Sequence, residues 1–592
     1  MNDEIDEVVA RLDMLSQRRT FIEKVWNDVS RTSFPTSEAM ARMGSSTPSG
    51  RVSSYFDEPS GSNRSRSIYD SVGITASERL SSGLESLITP QAERWHSFAS
   101  SAGYDETLDD APAQEWMDRL RDYMFECRYD PLSGFPLSNQ RAIRSMVGFG
   151  QGIIFVEETF RQMASGRNMP ILYSYIPLAE CYLDINEQGV HDTNYRAFYQ
   201  TALQLVKKFG PDKVSEKTKI LAEKANTQDT MVEIIHAVYP ASEEKTKSNK
   251  GKHWISKYIE RSNKHEISSG GFFEFPYIVY PWSPIDGSAY AEGPAMLALA
   301  ELKSLQAMGR DSLLASQLGI RPPLASAYSP DVPINLNPGS VNPKMVDPNT
   351  GRVLVQPILP PSNPSLMYEL MNMRREQVRD SMYLNLFQTM AQAPQMSATE
   401  AMIRAQEKGE FLGPTSSRVQ SALSRLIDRE LSILERKGAF REDSMLAPPD
   451  TMRGKNINIR FSAPVDRLRK ASDVVGISRT LEIMMQLAQI DPDVVDNVDG
   501  DATLEIIRQR LGAPRKIMRT PEEVTAIREE KTAQKNAAAG MTAANSAADT
   551  AQKGAAALPE IQKLMQNYGA GGGAIAAGTG GLPGMPNPSP GA

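Results

Sequence analysis

Between residues 285 and 437 a long helical pattern opens on Gly293 and Pro294 and runs to about Leu318, and eleven prolines then fall between 320 and 364. Proline fixes φ and donates no backbone hydrogen bond, so such a stretch builds neither helix interior nor central strand. A second helical pattern covers Ser365–Gln388. A short Gln/Pro loop follows, then a long helix whose start carries a capping box, Ser397–Ala–Thr–Glu400. Helix, proline-rich knuckle, helix, loop, helix suits a subunit that supplies one stave of a tube wall. It points to a ring and away from a catalytic pocket.

The 592 residues leave room for about three or four domain-sized units at roughly 150 residues each. A formal charge of −7 argues against a surface that grips nucleic acid along its whole extent, because phosphate contacts demand cations. It does not exclude a local basic ring. Two cysteines, Cys127 and Cys181, set up no disulfide framework and fit a reducing compartment. The acidic start MNDEIDEVV is unlike a signal peptide, and no apolar run approaches the ~20 residues needed to cross a bilayer. The expectation is a soluble intracellular product.

Periodicity divides the chain. Ile5, Val8, Leu12, Leu15, Ile22, Val25 and Trp26 recur at helical spacing and predict a helix over 4–30. Residues 35–66, rich in Ser, Gly, Pro and Arg, read as a mobile excursion. Helices are expected again over 68–87, 112–128 and 135–147. From Gly150 the period changes: GIIFVEETF, MPILYSYIP and ECYLDI are β-branched and aromatic runs between turn residues, and 192–200, 230–239 and 252–260 continue in that style. Helices near 201–226 interrupt them, and FFEFPYIVYPW over 272–282 reads as one more strand. The fold class is α+β, predominantly helical. The first long helix, over 289–317, would span about 42 Å at ~1.5 Å per residue. The helix from Ser397 is expected to break at Gly413–Pro414, resume to Lys437 and stop at Gly438. A strand over 456–463 and helices over 465–490, 501–511 and 520–552 complete the pattern. Residues 569–592, almost entirely Gly, Ala and Pro, bury too little to fold alone.

Motifs for chemistry fail one by one. Gly148–Phe–Gly150–Gln–Gly152 resembles a phosphate loop, but it runs from helix to strand, the reverse of a dinucleotide-binding turn, so it reads as packing. Gly251–Lys252 is followed by His253 where a Walker loop needs Ser or Thr. The five histidines are too scattered for a metal motif, and no cofactor is expected. Asp496–Asn–Val–Asp–Gly–Asp501 suggests a calcium loop, yet alignment on Gly500 puts Val495 and Ile506 at ligand positions, so a turn before a helix is the better reading. No nucleophile elbow or Cys–His pair is present. A packaging ATPase or nuclease would need a phosphate loop or carboxylate cluster, and neither appears.

Arg374, Arg375 and Arg379 occupy about one and a half turns of the second long helix, with Gln388, Gln392 and Gln395 in the loop after it. Taken alone, a solvated face pairing with Glu376 and Asp380 outweighs a DNA contact. Lys344 in the proline-rich knuckle is unremarkable in isolation. Clustered methionines (Met367, Met371, Met373) suit packing between subunits.

From near the N-terminus to about residue 530 the chain resembles the head-to-tail connecting proteins, or portals, of short-tailed, podovirus-type bacteriophages. The similarity lies in the Arg/Trp-bearing first helix, Ile68–Tyr–Asp70–Ser71, Leu87–Ile–Thr–Pro90 leading to Arg94–Trp95, and Phe275–Pro276 with Trp282. It continues through Gly293–Pro–Ala–Met296, Pro338–Gly339 with Val341–Asn342, and Ser397–Ala–Thr–Glu400 followed by Leu412–Gly–Pro414. The resemblance implies a portal fold of wing, stem, clip and crown closed as a ring, typically of twelve copies, around a channel for double-stranded DNA. On that basis 1–288 is wing, 289–318 the first stem helix, 319–364 clip, 365–397 the second stem helix and tunnel loop, and 398–464 the wing return. Residues 465–568 form a crown-like helical region, and 569–592 a tail outside the resemblance. It further implies bore-facing charge at Arg374, Arg375 and Arg379, tunnel-loop contacts at Gln388, Gln392 and Gln395, and docking through the clip at Lys344 and Arg352. The implied partners are terminase, then tail adaptor proteins, with capsid and scaffolding proteins and no membrane. The protein would be assembled in the host cytoplasm, reside in the virion and hydrolyse nothing. Twelve copies at −7 each would carry −84, which repels duplex DNA on average and suits a conduit. An oligomeric tail-tube adaptor or scaffold is the alternative of the same kind.

Overall fold

The computed structural model describes residues 2–35, 68–100, 111–162, 168–242, 246, 250–320, 324–326, 346–347, 349–353, 355–357, 364–384, 398–452, 457–489, 491–511, 518–519 and 523–537. The expected excursion over 35–66 (past residue 35), most of the clip, the Gln/Pro loop and the Gly/Ala/Pro tail lie outside them. The chain divides into two compact units, Met1–Gly512 and Ala513–Ala592; in the second, the described structure is a helix over 523–537.

The first unit opens on α1 (Asn2–Ser33), which serves two cores. Its first half presents Ile5, Val8, Leu12 and Leu15 to Tyr182, Tyr195, Ile235, Ala237 and Ile259. Its second half places Trp26 and Val29 in the main core. Arg19 sits between them, fully buried, donating to Glu23 Oε1 at 2.7 Å and to the Cys181 carbonyl at 2.5 Å, with its guanidinium 3.6 Å from the Tyr182 ring centroid. Around the first half, Glu4 pairs with Lys257 at 2.7 Å, Asp6 with Lys264 at 2.6 Å and Asp13 with Arg261 at 2.8 Å, so charge surrounds the apolar contact.

Helices α2 (Val72–Ile88), α3 (Ala111–Tyr129) and α4 (Phe135–Phe149) follow, with strand β1 (His96–Ser100) between the first two. A three-stranded antiparallel sheet has the order β3 (Asn168–Ile176), β2 (Gln151–Gln162), β9 (Tyr277–Pro281). A five-stranded meander comprises β4 (Cys181–Ile185), β5 (His191–Thr201), β6 (Met231–Pro240), β7 (Trp254–Glu260) and β8 (His265–Phe272). Helices α5 (Ala202–Phe209) and α6 (Glu216–Glu223) connect β5 to β6. The expected single strand over 272–282 is instead the end of β8 and all of β9, which belong to different sheets; the intervening Phe275–Pro276 turns the chain from one sheet to the other.

The glycine triplet between α4 and β2 is packing, as expected. Gly150 has φ +84°, and a Cβ there would lie 1.9 Å from the Ala291 carbonyl oxygen; one on Gly152 would lie 1.9 Å from that of Ala142. No side chain yields at such a contact, because backbone itself is in the way. Gly152→Ala is therefore expected to cost about 3 kcal/mol or more of stability. A urea midpoint within experimental scatter of wild type would show that the α4–β2 junction is looser than this packing.

Helix α9 (Ala398–Arg436) runs unbroken through Gly413–Pro414, against the expected break. Proline removes one backbone hydrogen bond, but Leu412, Val419, Leu423, Leu426 and Ile427 bury the flanking turns, and that packing outweighs the local penalty. The Ser416 and Ser417 hydroxyls both donate to the Gly413 carbonyl at 2.9 Å. The expected stop at Gly438 is a left-handed cap at φ +79°, with Ala439 N–H bonded to Leu434 O at 3.0 Å and Gly438 N–H to Glu435 O at 2.9 Å. Strand β10 (Ile457–Phe461) pairs with β1 in antiparallel register, Ser97 opposite Arg460. Helix α10 (Pro464–Leu487) is tied to α9 where Gln420 Nε2 donates to both Asp466 oxygens at 2.9 and 2.8 Å. Helix α11 (Gly500–Leu511) opens on the suspected calcium sequence, where Asp499 Oδ1 accepts from the amides of Asp501 and Ala502 at 2.9 and 3.1 Å. That carboxylate is a helix cap.

Two charge networks lock α9 to the body. Arg429 donates through Nε and Nη2 to the Val156 carbonyl at 3.0 and 2.9 Å and through Nη1 to Glu274, and burial pulls its pKa down to about 10. Glu430 accepts from Tyr173 Oη at 2.6 Å and binds the Arg128 guanidinium in a two-pronged contact. Arg128 Nη1 lies 3.0 Å from His96 Nε2. Since a guanidinium only donates, that nitrogen accepts and His96 carries its proton on Nδ1. Burial and the neighbouring Arg128 charge hold the His96 pKa well below its ordinary value.

Candidate functional site

After β9, a two-strand turn and one helical turn (Pro294–Leu297) lead into α7 (Leu299–Ile320), and α8 (Pro364–Ser381) packs against it. The strand following α7, Leu324–Ser326, pairs with Val355–Pro357 ahead of α8, so the two helices run to and from one short sheet. Val346 and Val353 bridge across an Asp347–Gly351 turn within the same segment. The described helix α8 ends at Ser381, short of the expected Gln388, and Tyr383 takes a left-handed conformation at φ +55° between the rings of Trp282 and Phe411.

The body end of this hairpin is firmly held. Leu302 and Leu305 of α7 and Met371 and Val378 of α8 are buried. Gln306 Oε1 accepts from the amides of Tyr69 and Asp70 at 2.7 and 3.1 Å, and its Nε2 donates to the Asp70 carbonyl at 2.8 Å. The Asp70 carboxylate, nearly buried, accepts from Val72 N–H at 2.9 Å and from Arg375 Nε at 2.8 Å. Arg374 pairs with Glu301 at 2.5 Å, and Lys303 with Asp28 at 2.6 Å. One aspartate just ahead of α2 thus joins both long helices.

The far end is different. Leu313, Leu314, Leu318 and Ile320 on α7, with Leu366, Tyr368 and Leu370 on α8, are between 41% and 79% exposed, and Met373, nearer the body, is 61% exposed. Eight large apolar side chains on one helical hairpin exceed what a solitary soluble surface carries.

The three arginines read from the sequence do lie together on α8, and each has an intrachain acid: Glu301 for Arg374, Asp70 for Arg375, Glu376 for Arg379. Gln388, Gln392, Gln395 and Lys344 lie outside the described residues; Arg352 is exposed at the end of the Asp347 turn. The sequence reading passed over Arg310, exposed on α7 and in no ion pair with a described residue. A single arginine in an apolar-rich helix leaves no cluster to notice. Among the described residues no group of His, Cys, Asp or Glu could hold a metal ion, and no helix is long and apolar enough to cross a membrane.

The family described as bacteriophage head to tail connecting protein matches residues 5–518. The portal protein of Salmonella phage epsilon15 is 28% identical over 572 residues, spanning 94% of this chain and 96% of that protein. A protein named "Probable portal protein" from Bordetella phage BPP-1 is 26% identical over 523 residues, 85% of this chain and 89% of its own length. Among solved structures, a chain from the neck of an empty GTA particle aligns at 11% identity with a TM-score of 0.35, covering 75% of this chain and 90% of that one. That structural likeness is too low to bear on the fold.

Proposed function

Since this chain belongs to the bacteriophage head to tail connecting protein family, we propose that it is a structural portal subunit at the virion's head–tail junction, closing with copies of itself into a ring. It is a connector and not an enzyme. The observation that carries ring closure is the hairpin of α7 and α8, along which one chain leaves eight large apolar side chains in water. A neighbouring copy, related by rotation, covers them in a head-to-tail assembly. In this reading the hairpin forms the channel wall, residues 319–364 the clip and 465–568 the crown, with about 389–397 as the tunnel loop. Twelve copies enclose a passage for double-stranded DNA. Terminase docks on the clip during packaging and tail adaptors replace it, through Lys344 and Arg352, while capsid and scaffolding proteins hold the outer body. Assembly takes place in the host cytoplasm.

Arg374, Arg375 and Arg379 supply bore-facing charge, joined by Gln388, Gln392 and Gln395. Their intrachain acids leave them only part of their charge for phosphate, which favours brief, sequence-independent contact over tight binding. Arg379→Ala is the cleaner probe, because its partner Glu376 sits on the same exposed helix face, whereas Arg375 also anchors the fold. Heads built with Arg375→Ala and Arg379→Ala together are expected to retain several-fold less DNA, and Arg379→Ala alone part of that loss. Packaging and retention equal to wild type would remove these residues from the channel.

Negative-stain imaging of the full chain tests the reading as a whole. The expected particle is an annulus with a central bore and a broad outer body. A compact monomer at every concentration, or a narrow tube without that body, would overturn it.

A further inference from the structure

The two most exposed large apolar side chains among the described residues are Phe21, at 82%, and Met445, at 81%. Neither covers the other within one chain, and their surroundings are opposite in sign. Phe21 stands on the outer face of α1 with Arg18 and Lys24 one turn to either side, all exposed, and Lys24 Nζ lies 5.9 Å from the Phe21 ring centroid. Neither cation is in an ion pair with a described residue, in contrast to Arg11 and Arg19 on the same helix. Met445 stands in the segment after the Gly438 cap, preceded by exposed Arg441, Glu442 and Asp443, in which the acids outnumber the one cation. A shallow depression in the same segment is lined by Phe440, Ala447 and Pro448 together with Arg441 and Glu442.

A ring closed by rotation joins two different patches of the same chain, and these must complement each other. An aromatic side chain seated in a partly apolar depression against a thioether is a favourable interface anchor, and flanking charges of opposite sign fix register and speed encounter. We propose that Phe21 of one copy seats against Met445 of the next, with Arg18 and Lys24 facing Glu442 and Asp443, as a body-to-body contact separate from the α7–α8 wall. The proposal rests on the ring reading above and names the partner as a second copy.

The test uses the full chain. Cys127 and Cys181 are both buried, so a Phe21→Cys, Met445→Cys double variant introduces the reactive pair. Mild oxidation of its assemblies is expected to give a ladder of covalent multimers on a non-reducing gel, which neither single variant gives. Separately, Arg18→Glu with Lys24→Glu should raise the subunit concentration needed for rings by at least about tenfold, and adding Glu442→Lys with Asp443→Lys should restore it. Rescue by the second reversal would not follow from a folding defect. Wild-type rings whose double-cysteine form stays unlinked and whose assembly ignores the charge reversal would overturn the contact and leave the ring standing. Reversal variants that form normal rings but fail to enter heads would assign this face to a capsid protein and also overturn it. A wild-type chain that never closes sinks the ring reading and this one with it.

Discussion

Replacing Glu430 with alanine is expected to remove about 3–5 kcal/mol of folding stability, the usual cost of breaking a buried ion pair from one side. Glu430 and Arg128 are both at most 1% exposed. The carboxylate also accepts a hydrogen bond from the Tyr173 hydroxyl at 2.6 Å, so its loss leaves that phenol and the Nε and Nη2 groups of Arg128 without their acceptor. Burial by itself would lower the Arg128 pKa, yet Glu430 beside it raises the pKa on balance, so the cation stays charged and remains unable to leave. His96 gives no relief: it accepts one Arg128 proton, and its Nδ1 finds no partner among the described residues. The measurement is the urea midpoint of the unassembled subunit, read at constant slope. Glu430→Gln, which keeps an acceptor but no charge, should fall between alanine and wild type. A loss below about 1 kcal/mol for the alanine variant would mean that water reaches the site and that the pair does not fasten α9 to α3 and β3.

The second large effect concerns assembly and leaves the subunit's fold alone. Leu314→Glu together with Leu370→Glu is expected to leave helicity and the urea midpoint of the monomer near wild type, because both side chains are already 43–45% exposed there. Ring formation should fail. Each leucine buried against a neighbour contributes about 2 kcal/mol, and a glutamate in its place adds a desolvation cost, so the assembly concentration should rise more than about thirtyfold. Sedimentation velocity over a wide concentration range reads both halves of the prediction. Rings that form as readily as wild type would show that this hairpin does not supply the contact between copies. A destabilised monomer would show that the leucines pack within their own chain.

Much of the fold was legible because the responsible signal is local. The spacing of Ile5, Val8, Leu12 and Leu15 marks α1, and the β-branched and aromatic runs after Gly150 mark the central strands. What escaped was non-local or weakly patterned. Strand β1 has five residues and acquires its partner only at 457–461, far along the chain. Strand β8, with Ser268, Ser269, Gly270 and Gly271, lacks apolar alternation because it ends the meander with one neighbour. Pro414 misled because burial of Leu412 and Val419 is invisible to a propensity argument. The arginines of α8 were visible as a cluster, but their acids were not: Asp70 and Glu301 are distant in sequence, and only folding brings them beside Arg375 and Arg374.

The junction around Asp70 has a mechanical consequence. A beam gripped at one end is displaced most at the other and delivers its greatest bending moment to the grip. Here the fastenings of the grip differ in how readily dissolved ions weaken them. The Lys303–Asp28 pair is well exposed, at 52% and 36%, whereas the Asp70 carboxylate is only 4% exposed. Rising ionic strength therefore slackens the outer fastening first and leaves the inner one holding, so compliance changes in steps and the hairpin stays attached throughout.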